Sequence, residues 1–298
     1  MKIYLLNILL LTIYRLVFLH DTSQENNKKF CALATLNWIL LSGLRHLTVG
    51  ADTIKYGYLF EQAKKISWRT LWDERVNIFI HESLGKDPGY IVFQKLIQLI
   101  TTNYRFYLIL VAVMFTVPLG IWIYKNSRDA YMSFIIYSCM FYSFFSITGI
   151  RQTLATALVV FVGYRFIKKR SFIKFLLLIF LAGSIHFSAF CFLPFYFIAD
   201  KKITKHYLIL YGCAFMGIFL LRERIFILGS KFIGYDQYLP NVGGRTWVFT
   251  AFLISLVLVM LLKLNKILNN NGQAVHFINA LLVAVLLVPF TFVNPAAM

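Results

Sequence analysis

The chain alternates long apolar runs with short polar segments, most of them basic. An apolar run of about 17 to 25 residues is long enough to cross a bilayer as an α-helix. This pattern predicts membrane-spanning helices at about 3–19, 30–47, 104–124, 129–149, 152–167, 206–221, 246–268 and 275–293. No small-residue cleavage site follows the first run, which is therefore predicted to be a retained helix and not a signal peptide.

One further apolar segment, 172–198, is longer than a single crossing requires and contains Gly183 and Pro194. We therefore expect two short helices that meet near Gly183–His186. With these two included, the pattern predicts an all-α polytopic membrane protein of about ten transmembrane helices, built as a single transmembrane domain over 1–298.

Two segments depart from this pattern. Residues 48–103 mix acidic, basic and apolar positions and are predicted to form an amphipathic region at the outer face of the membrane. Within it, Asp87 followed by Pro88 is a typical helix start, and the apolar face of 88–101 predicts an interfacial helix. The second segment, 222–245, is predicted to be an outer loop.

The composition supports a membrane protein. The 298 residues are 59% hydrophobic and 14% charged, with a mean hydropathy of +0.71, which excludes an ordinary soluble domain. The net charge of +18 would suit a nucleic-acid partner, but the basic residues lie in short loops between the spans. There they set the topology and contact anionic head groups, so membrane lipids and not nucleic acid are the expected partners. The four cysteines are isolated and lack the spacing of a metal site.

The basic loops also predict the orientation of the chain. If the loop that contains Lys28 and Lys29 is cytoplasmic, most other basic loops fall on the same side, as the positive-inside rule requires. This holds only if 172–198 crosses twice, and Lys2 is the exception. Many of the other ionisable residues then gather at the outer face: Arg45, Asp52, Arg69, Glu82, Arg151, His186, Arg222, Arg224 and Arg245.

Clustered arginines beside apolar surface indicate a particular chemistry. The guanidinium presents a planar fork of donors that matches phosphate oxygens, so these residues suit a lipid-linked diphosphate whose tail stays in the bilayer. A nearby histidine or carboxylate could take a proton from an attacking hydroxyl, and arginines alone could stabilise the leaving diphosphate without a metal or other cofactor. Simpler explanations stay open: Arg151 could snorkel to the interface, and His186 could be a hydrogen-bonded turn residue.

Several short motifs occur in order within residues 35–205. They are Arg45, Val49-Gly50-Ala51-Asp52-Thr53, Tyr56, Asp87-Pro88-Gly89-Tyr90, Gly149-Ile150-Arg151-Gln152 and Ile185-His186-Phe187-Ser188-Ala189. This series resembles the EpsG family of bacterial polysaccharide proteins, which are similar to Wzy-type O-antigen and capsule polymerases. The last two motifs are the most specific part of the resemblance.

The resemblance implies a membrane glycosyltransferase that acts at the outer face of the bacterial cytoplasmic membrane. Its donor would be a glycan on undecaprenyl diphosphate and its acceptor a hydroxyl of the next lipid-linked repeat unit, with inversion at the anomeric carbon. On the matching residues, Arg151 and Arg45 would bind diphosphate or sugar oxygens, and Gln152 would orient a sugar. His186 or Asp52 would be the general base.

Further expectations concern substrate contacts, partners and chain length. Arg224 and Arg245, in the predicted loop 222–245, are candidates for substrate binding on charge alone. A chain-length regulator and a flippase are candidate partners of such a polymerase. Family members usually continue well beyond the last span, whereas this chain ends soon after Phe292, so a short member or a truncated chain is expected.

Three other classes stay open at this point. One is a flippase or transporter that moves lipid-linked sugars through a basic cavity, and another is a membrane acyltransferase with His186 as its base. The third is a purely structural membrane component, which would leave the outer arginines unexplained. A transporter would distribute charged residues through the middle of the membrane. Here the predicted topology gathers them at one face, which favours chemistry over passage.

Overall fold

The computed structural model of the protein describes residues 2–18, 23–50, 52–71, 87–233, 247–270 and 272–293. These residues form helices and connecting turns, with no β-strand among them, so the predicted all-α class is confirmed. They pack into two compact units, Met1–Leu193 and Pro194–Met298, and each is described by itself below. The single transmembrane domain over 1–298 stays a prediction.

The first unit is built from helices that connect through short turns. They are α1 (Lys2–Phe18), α2 (Gln24–Gly43), α3 (Thr53–Lys65), α4 (Pro88–Gln98), α5 (Tyr104–Asn126), α6 (Ala130–Cys139), α7 (Phe141–Thr148), α8 (Ile150–Lys168) and α9 (Phe172–Ile185). A π-helical segment, Ala157–Val162, lies within α8. A 3₁₀-helix, Phe187–Phe192, follows α9.

Aromatic side chains make up much of the core of this unit. Trp38 of α2 is buried and packs edge-on against Tyr137 of α6, with the ring centroids 4.9 Å apart. Helices α2 and α5 approach closely where a Cβ atom at Gly43 would lie only 2.9 Å from the Cα atom of Ile109. A side chain at residue 43 would therefore separate these two helices and loosen the core between them.

Three described helices are long and apolar enough to cross a membrane, namely α5, α8 and the final helix of the second unit, Ala274–Thr291. Shorter apolar helices lie at Ala130–Cys139, Phe172–Ile185, Phe187–Ile198 and Thr250–Leu262. The ten predicted crossings are therefore not confirmed. One reason is visible in the apolar run 129–149, where Met140 adopts an extended conformation and divides the run into α6 and α7.

The predicted break within 172–198 is confirmed. Helix α9 ends at Ile185, His186 has an extended backbone (φ −154°, ψ 118°), and the 3₁₀-helix begins at Phe187. The ring of Phe190 lies so close to Gly183 that a Cβ atom there would clash with it. Glycine therefore lets the 3₁₀-helix fold back against the end of α9, which leaves His186 at the point of reversal.

Helix α4 begins as the sequence predicted, with Asp87 as its N-cap and Pro88 at its first position, and it ends at Gln98 instead of continuing to 101. Its Lys95 is buried and donates to the carbonyl oxygens of Ala63 (3.2 Å) and Ile66 (2.5 Å). These carbonyls belong to the last turn of α3 and to its C-cap, Ile66, where a cation is favourable. Lys95 therefore joins α4 to the end of α3.

The second unit contains α10 (Phe195–Ile198), α11 (Lys205–Ile233), α12 (Trp247–Leu262), α13 (Leu264–Asn270) and α14 (Ala274–Thr291). The buried amide of Asn279 on α14 donates to the carbonyl oxygens of Ile198, Ala199 and Lys201, at 2.8 to 3.0 Å. One turn earlier on α14, His276 hydrogen-bonds to Asp200. These contacts fix the connection after α10 onto α14.

The predicted outer loop 222–245 needs a correction in its first half. Residues 222–233 continue α11 without a break, because this stretch keeps a helical pattern of apolar positions. Residues 234–245 lie outside the described part of the chain. Arg224 is therefore a helical residue, exposed on α11, and not a loop residue.

Candidate active site

A buried carboxylate, that of Asp87, lies at the centre of a polar cluster in the first unit. Its Oδ2 atom accepts a hydrogen bond from Arg151 Nη1 at 2.7 Å and lies 3.2 Å from His186 Nδ1. Its Oδ1 atom accepts from the backbone N–H of Phe187 at 3.1 Å. Only 1% of the Asp87 side chain is exposed. The cluster therefore joins the beginning of α4, the beginning of α8 and the end of α9.

Local backbone structure explains how these groups meet. Arg151 lies in the first turn of α8, two residues after the Gly149 N-cap, and His186 is the extended residue that ends α9. A Cβ atom at Gly89 would lie 2.8 Å from the backbone carbonyl carbon of Ser184. The start of α4 therefore reaches the end of α9 because residue 89 is glycine, and this approach brings Asp87 to His186 and Phe187.

Asp87 occupies the N-cap position of α4, but its side chain does not cap the helix. The side chain of an aspartate N-cap ordinarily accepts from a backbone N–H in the first helical turn, but this one makes no such bond. A buried carboxylate is unfavourable unless it is paired and hydrogen-bonded, and Arg151, His186 and the Phe187 N–H supply these partners. The interaction is long-range, since Asp87 lies 64 residues from Arg151 and 99 from His186 along the chain.

The carboxylate sets the tautomer of His186. A carboxylate only accepts hydrogen bonds, so the proton of a neutral imidazole lies on Nδ1, which faces Asp87. The other nitrogen, Nε2, then carries a lone pair that can accept a proton. The side chain is 16% exposed, so a ligand can reach it. An imidazole held in this way by a buried carboxylate can act as a general base.

The Arg151 guanidinium keeps binding capacity beyond its pair with Asp87. Its side chain is 29% exposed, so part of the guanidinium is open to a ligand. The guanidinium also lies over two aromatic rings, 5.7 Å from the centroid of Tyr56 and 5.9 Å from that of Tyr90. These contacts hold the planar fork in one orientation, as required for binding phosphate oxygens.

Tyrosines form the wall behind Arg151. The hydroxyl of Tyr107 donates to that of Tyr90 at 2.8 Å, and Tyr104 donates to the carbonyl oxygen of Thr53 at 2.7 Å. Burial raises the pKa of Tyr90 and, to a smaller extent, the pKa of Tyr56. Both therefore remain neutral phenols at physiological pH and do not neutralise the arginine.

Asp52, the other predicted base, is placed differently. It is the N-cap of α3, is exposed and makes no side-chain capping bond. The loop before it packs on the end of α7: Gly50 has a positive φ of 95°, and a Cβ atom there would lie 2.8 Å from Thr148 Cγ2. Asp87 hydrogen-bonds to His186 and to the backbone N–H of Phe187, and Asp52 takes no part in these contacts.

Arg45 is a buried cation with unused donors. It lies directly after the end of α2, and its Nη1 atom donates to the carbonyl oxygen of Ser42 at 2.6 Å. Its Nε and Nη2 atoms are buried without a hydrogen-bond partner among the described residues. Unsatisfied buried donors on a cation are unfavourable, and an anionic ligand would satisfy them.

The other predicted substrate contacts have varied outcomes. Gln152 is partly buried in α8, directly after Arg151. Arg224 is exposed on α11 of the second unit, and Arg245 lies outside the described residues. Sequence reasoning missed Asp87 as a site residue, although its motif Asp87-Pro88-Gly89-Tyr90 belonged to the resemblance. The pattern was interpreted as a helix cap, and nothing local distinguishes a cap from this longer-range role.

The fold and the site together define an all-helical membrane protein. In it, an Asp–Arg–His cluster lies where the first turns of α4 and α8 meet the end of α9. Comparison with known families is more specific: the EpsG family model matches residues 28–297, nearly the whole chain. The chain therefore belongs to the EpsG family, a family of Wzy-type polymerases in polysaccharide biosynthesis. No curated protein and no solved structure matches the chain. The resemblance seen in the sequence is thus confirmed.

Proposed function

We propose that this protein polymerises lipid-linked polysaccharide repeat units at the outer face of the bacterial cytoplasmic membrane. The donor is a glycan on undecaprenyl diphosphate, and the acceptor is a hydroxyl group of the next repeat unit. The observation that carries this proposal is the pairing of Arg151 and His186 on one buried carboxylate. A guanidinium suits phosphate oxygens, and an imidazole nitrogen can accept a proton. Family membership supplies the reaction class.

The proposed reaction uses each group once. His186 Nε2 takes the proton of the acceptor hydroxyl as its oxygen attacks the anomeric carbon of the donor sugar. The bond from that carbon to the diphosphate oxygen breaks, and the new glycosidic bond forms on the opposite face, so the centre inverts. The leaving diphosphate carries the negative charge, which Arg151 stabilises, and Arg45 is the second candidate for this role.

The remaining candidates have supporting roles in this proposal. Asp87 is a positioning residue, since it touches Arg151 and His186 and is itself inaccessible to substrate. Gln152 is adjacent to Arg151 and orients a sugar of the donor. The arginines supply positive charge at the leaving group, so the proposal requires no metal ion. Asp52 is the alternative base if His186 proves dispensable.

The function is tested by the sizes of glycans in a strain that lacks the gene, with and without a wild-type copy. We expect single repeat units at the outer leaflet or cell surface without the gene, and long chains when it is restored. Repeat units trapped on the cytoplasmic side would indicate a flippase instead. Chains of normal length that lack one substituent would indicate a modifying acyltransferase. Either result would remove the polymerase proposal.

Replacing His186 should show whether this residue acts as a general base or only as a hydrogen-bonded turn residue. We expect both His186→Ala and His186→Gln to reduce the rate of polymerisation by about 10²- to 10⁴-fold, the usual contribution of a general base. Glutamine can still hydrogen-bond to Asp87 but cannot take up a proton. The rate is measured from chain length and from turnover of lipid-linked repeat units, at matched amounts of membrane protein.

A second histidine provides the control. His46 is exposed and bonds to Thr48, so His46→Gln should retain wild-type chain lengths. Wild-type chains in the His186→Gln strain would show that proton transfer does not occur at His186. Asp52 would then become the leading base.

A further inference from the structure

An apolar cleft lies directly beside the Asp87 cluster. It encloses a volume of about 70 Å³ between α4, α5, α8 and α9, and it is lined almost entirely by apolar atoms, including those of Met114, Leu154, Leu158 and Ile185. All four helices belong to the first unit. The reaction proposed above does not use this space.

The position of the cleft relates it to the site. Leu154 lies about one helical turn after Arg151 on α8, and Ile185 immediately precedes His186. The cleft therefore begins where the charged cluster ends. A ligand that has an apolar group next to an anionic group could bind Arg151 with the anionic group and the cleft with the apolar group.

Two irregular helix segments border the cleft. Leu158 belongs to the π-helical segment of α8, and Pro118 lies inside α5, one turn after Met114. Proline lacks an N–H and crowds the carbonyl of the residue four positions earlier, here Met114. π-Segments widen a helix locally and are frequent at functional sites. Both the proline and the π-helical segment border this cleft, which lies between α5 and α8.

From this placement we infer that the cleft binds the isoprene unit next to the diphosphate of the polyprenyl-linked donor. The inference rests on the proposed function, and it assigns the tail-binding part of that site. The volume is about half of the roughly 150 Å³ of an apolar cavity that binds benzene, so it admits only a short branched hydrocarbon segment. The rest of the tail lies in the bilayer. By holding the first isoprene unit, the cleft determines how deep in the bilayer the diphosphate lies when it contacts Arg151.

Photolabelling of the purified full-length protein tests this directly. The probe is a polyprenyl diphosphate without sugar that carries a diazirine on its first isoprene unit. We expect the label on peptides that contain Met114 or Leu158. Labelling should be abolished by unlabelled polyprenyl diphosphate and should persist in excess phospholipid. Competition by phospholipid alone would identify an ordinary acyl-chain site and overturn the inference.

A matched pair of variants on α5 provides the second measurement. Met114, 39% exposed, lines the cleft, whereas Ile121, 50% exposed, lies on the same helix outside it. Met114→Trp should fill the cleft and lower the labelling. It should also raise the KM for the lipid-linked donor by about tenfold, because a few methylene groups of the donor lose their apolar contact. Ile121→Trp should change neither.

The outcomes separate this inference from the function on which it rests. Normal labelling and normal KM in Met114→Trp would remove the tail site, while polymerisation by the wild-type protein would still stand. Labelling at Met114 in a protein that forms no polymer from any lipid-linked donor would keep the site and remove the polymerase proposal. Labelling elsewhere on the chain would overturn the inference.

Discussion

Replacing Asp87 with asparagine should abolish formation of long chains while the protein remains in the membrane. Asparagine has nearly the same shape but no charge, so Arg151 loses its ionic partner and the proton of His186 is no longer held on Nδ1. Disturbing the orientation of a catalytic base by such a change lowers turnover by orders of magnitude, about 10⁴-fold in the best-studied serine protease. The measurement is kcat for lipid-linked repeat units with the purified variant.

Asp129 offers the matched control for this change. It is the N-cap of α6 and accepts from the backbone N–H of Met132 at 2.9 Å, a role that asparagine also fills. Asp129→Asn should therefore leave kcat unchanged. Because Asp87 is buried, its loss also lowers stability, so the thermal midpoint of each variant is measured alongside. An Asp87→Asn protein with wild-type kcat would show that the buried carboxylate does not position the site.

Replacing Arg151 should be as damaging, and the lysine variant is the informative one. Lysine keeps the positive charge but has a single ammonium in place of a planar fork, so it cannot bind Asp87 and a diphosphate oxygen in the same geometry. We expect Arg151→Lys and Arg151→Ala both to lose long chains, with at least about a hundredfold lower turnover, as for loss of one preorganised group that stabilises a developing anion.

The control lies near the other end of the same helix. Arg165 is exposed in the last turn of α8, so Arg165→Lys should leave chain length unchanged. Turnover is compared at equal amounts of protein in the membrane. Full activity of Arg151→Lys would remove the argument for bidentate binding and leave only a requirement for positive charge.

Apolar patterning was sufficient to predict parts of the fold. It predicted the helical class, the start of α4 at Pro88 and the break between α9 and the 3₁₀-helix, because each depends on a local signal such as proline, glycine or the length of an apolar run. It also selected Arg151 and His186, since ionisable residues at the ends of apolar helices are rare without a function.

Other predictions failed for a physical reason. The apolar run 129–149 has no glycine or proline near Met140 that would mark a break there. The stretch 222–233 has enough charge to resemble a loop, although it continues α11. Hydropathy measures the transfer of side chains from water to lipid and does not measure where a helix meets its neighbours. Packing decides those boundaries.

By itself, the sequence determined that this protein is helical and apolar enough for a membrane, that it belongs to the EpsG family and that Arg151 and His186 are its outstanding polar residues. Only the tertiary structure decided that Asp87 joins them and that the apolar cleft begins beside them. The physical reason is the range of the interactions. Hydropathy and helix capping act within a few residues, whereas a buried carboxylate takes its partners from helices that only folding brings together.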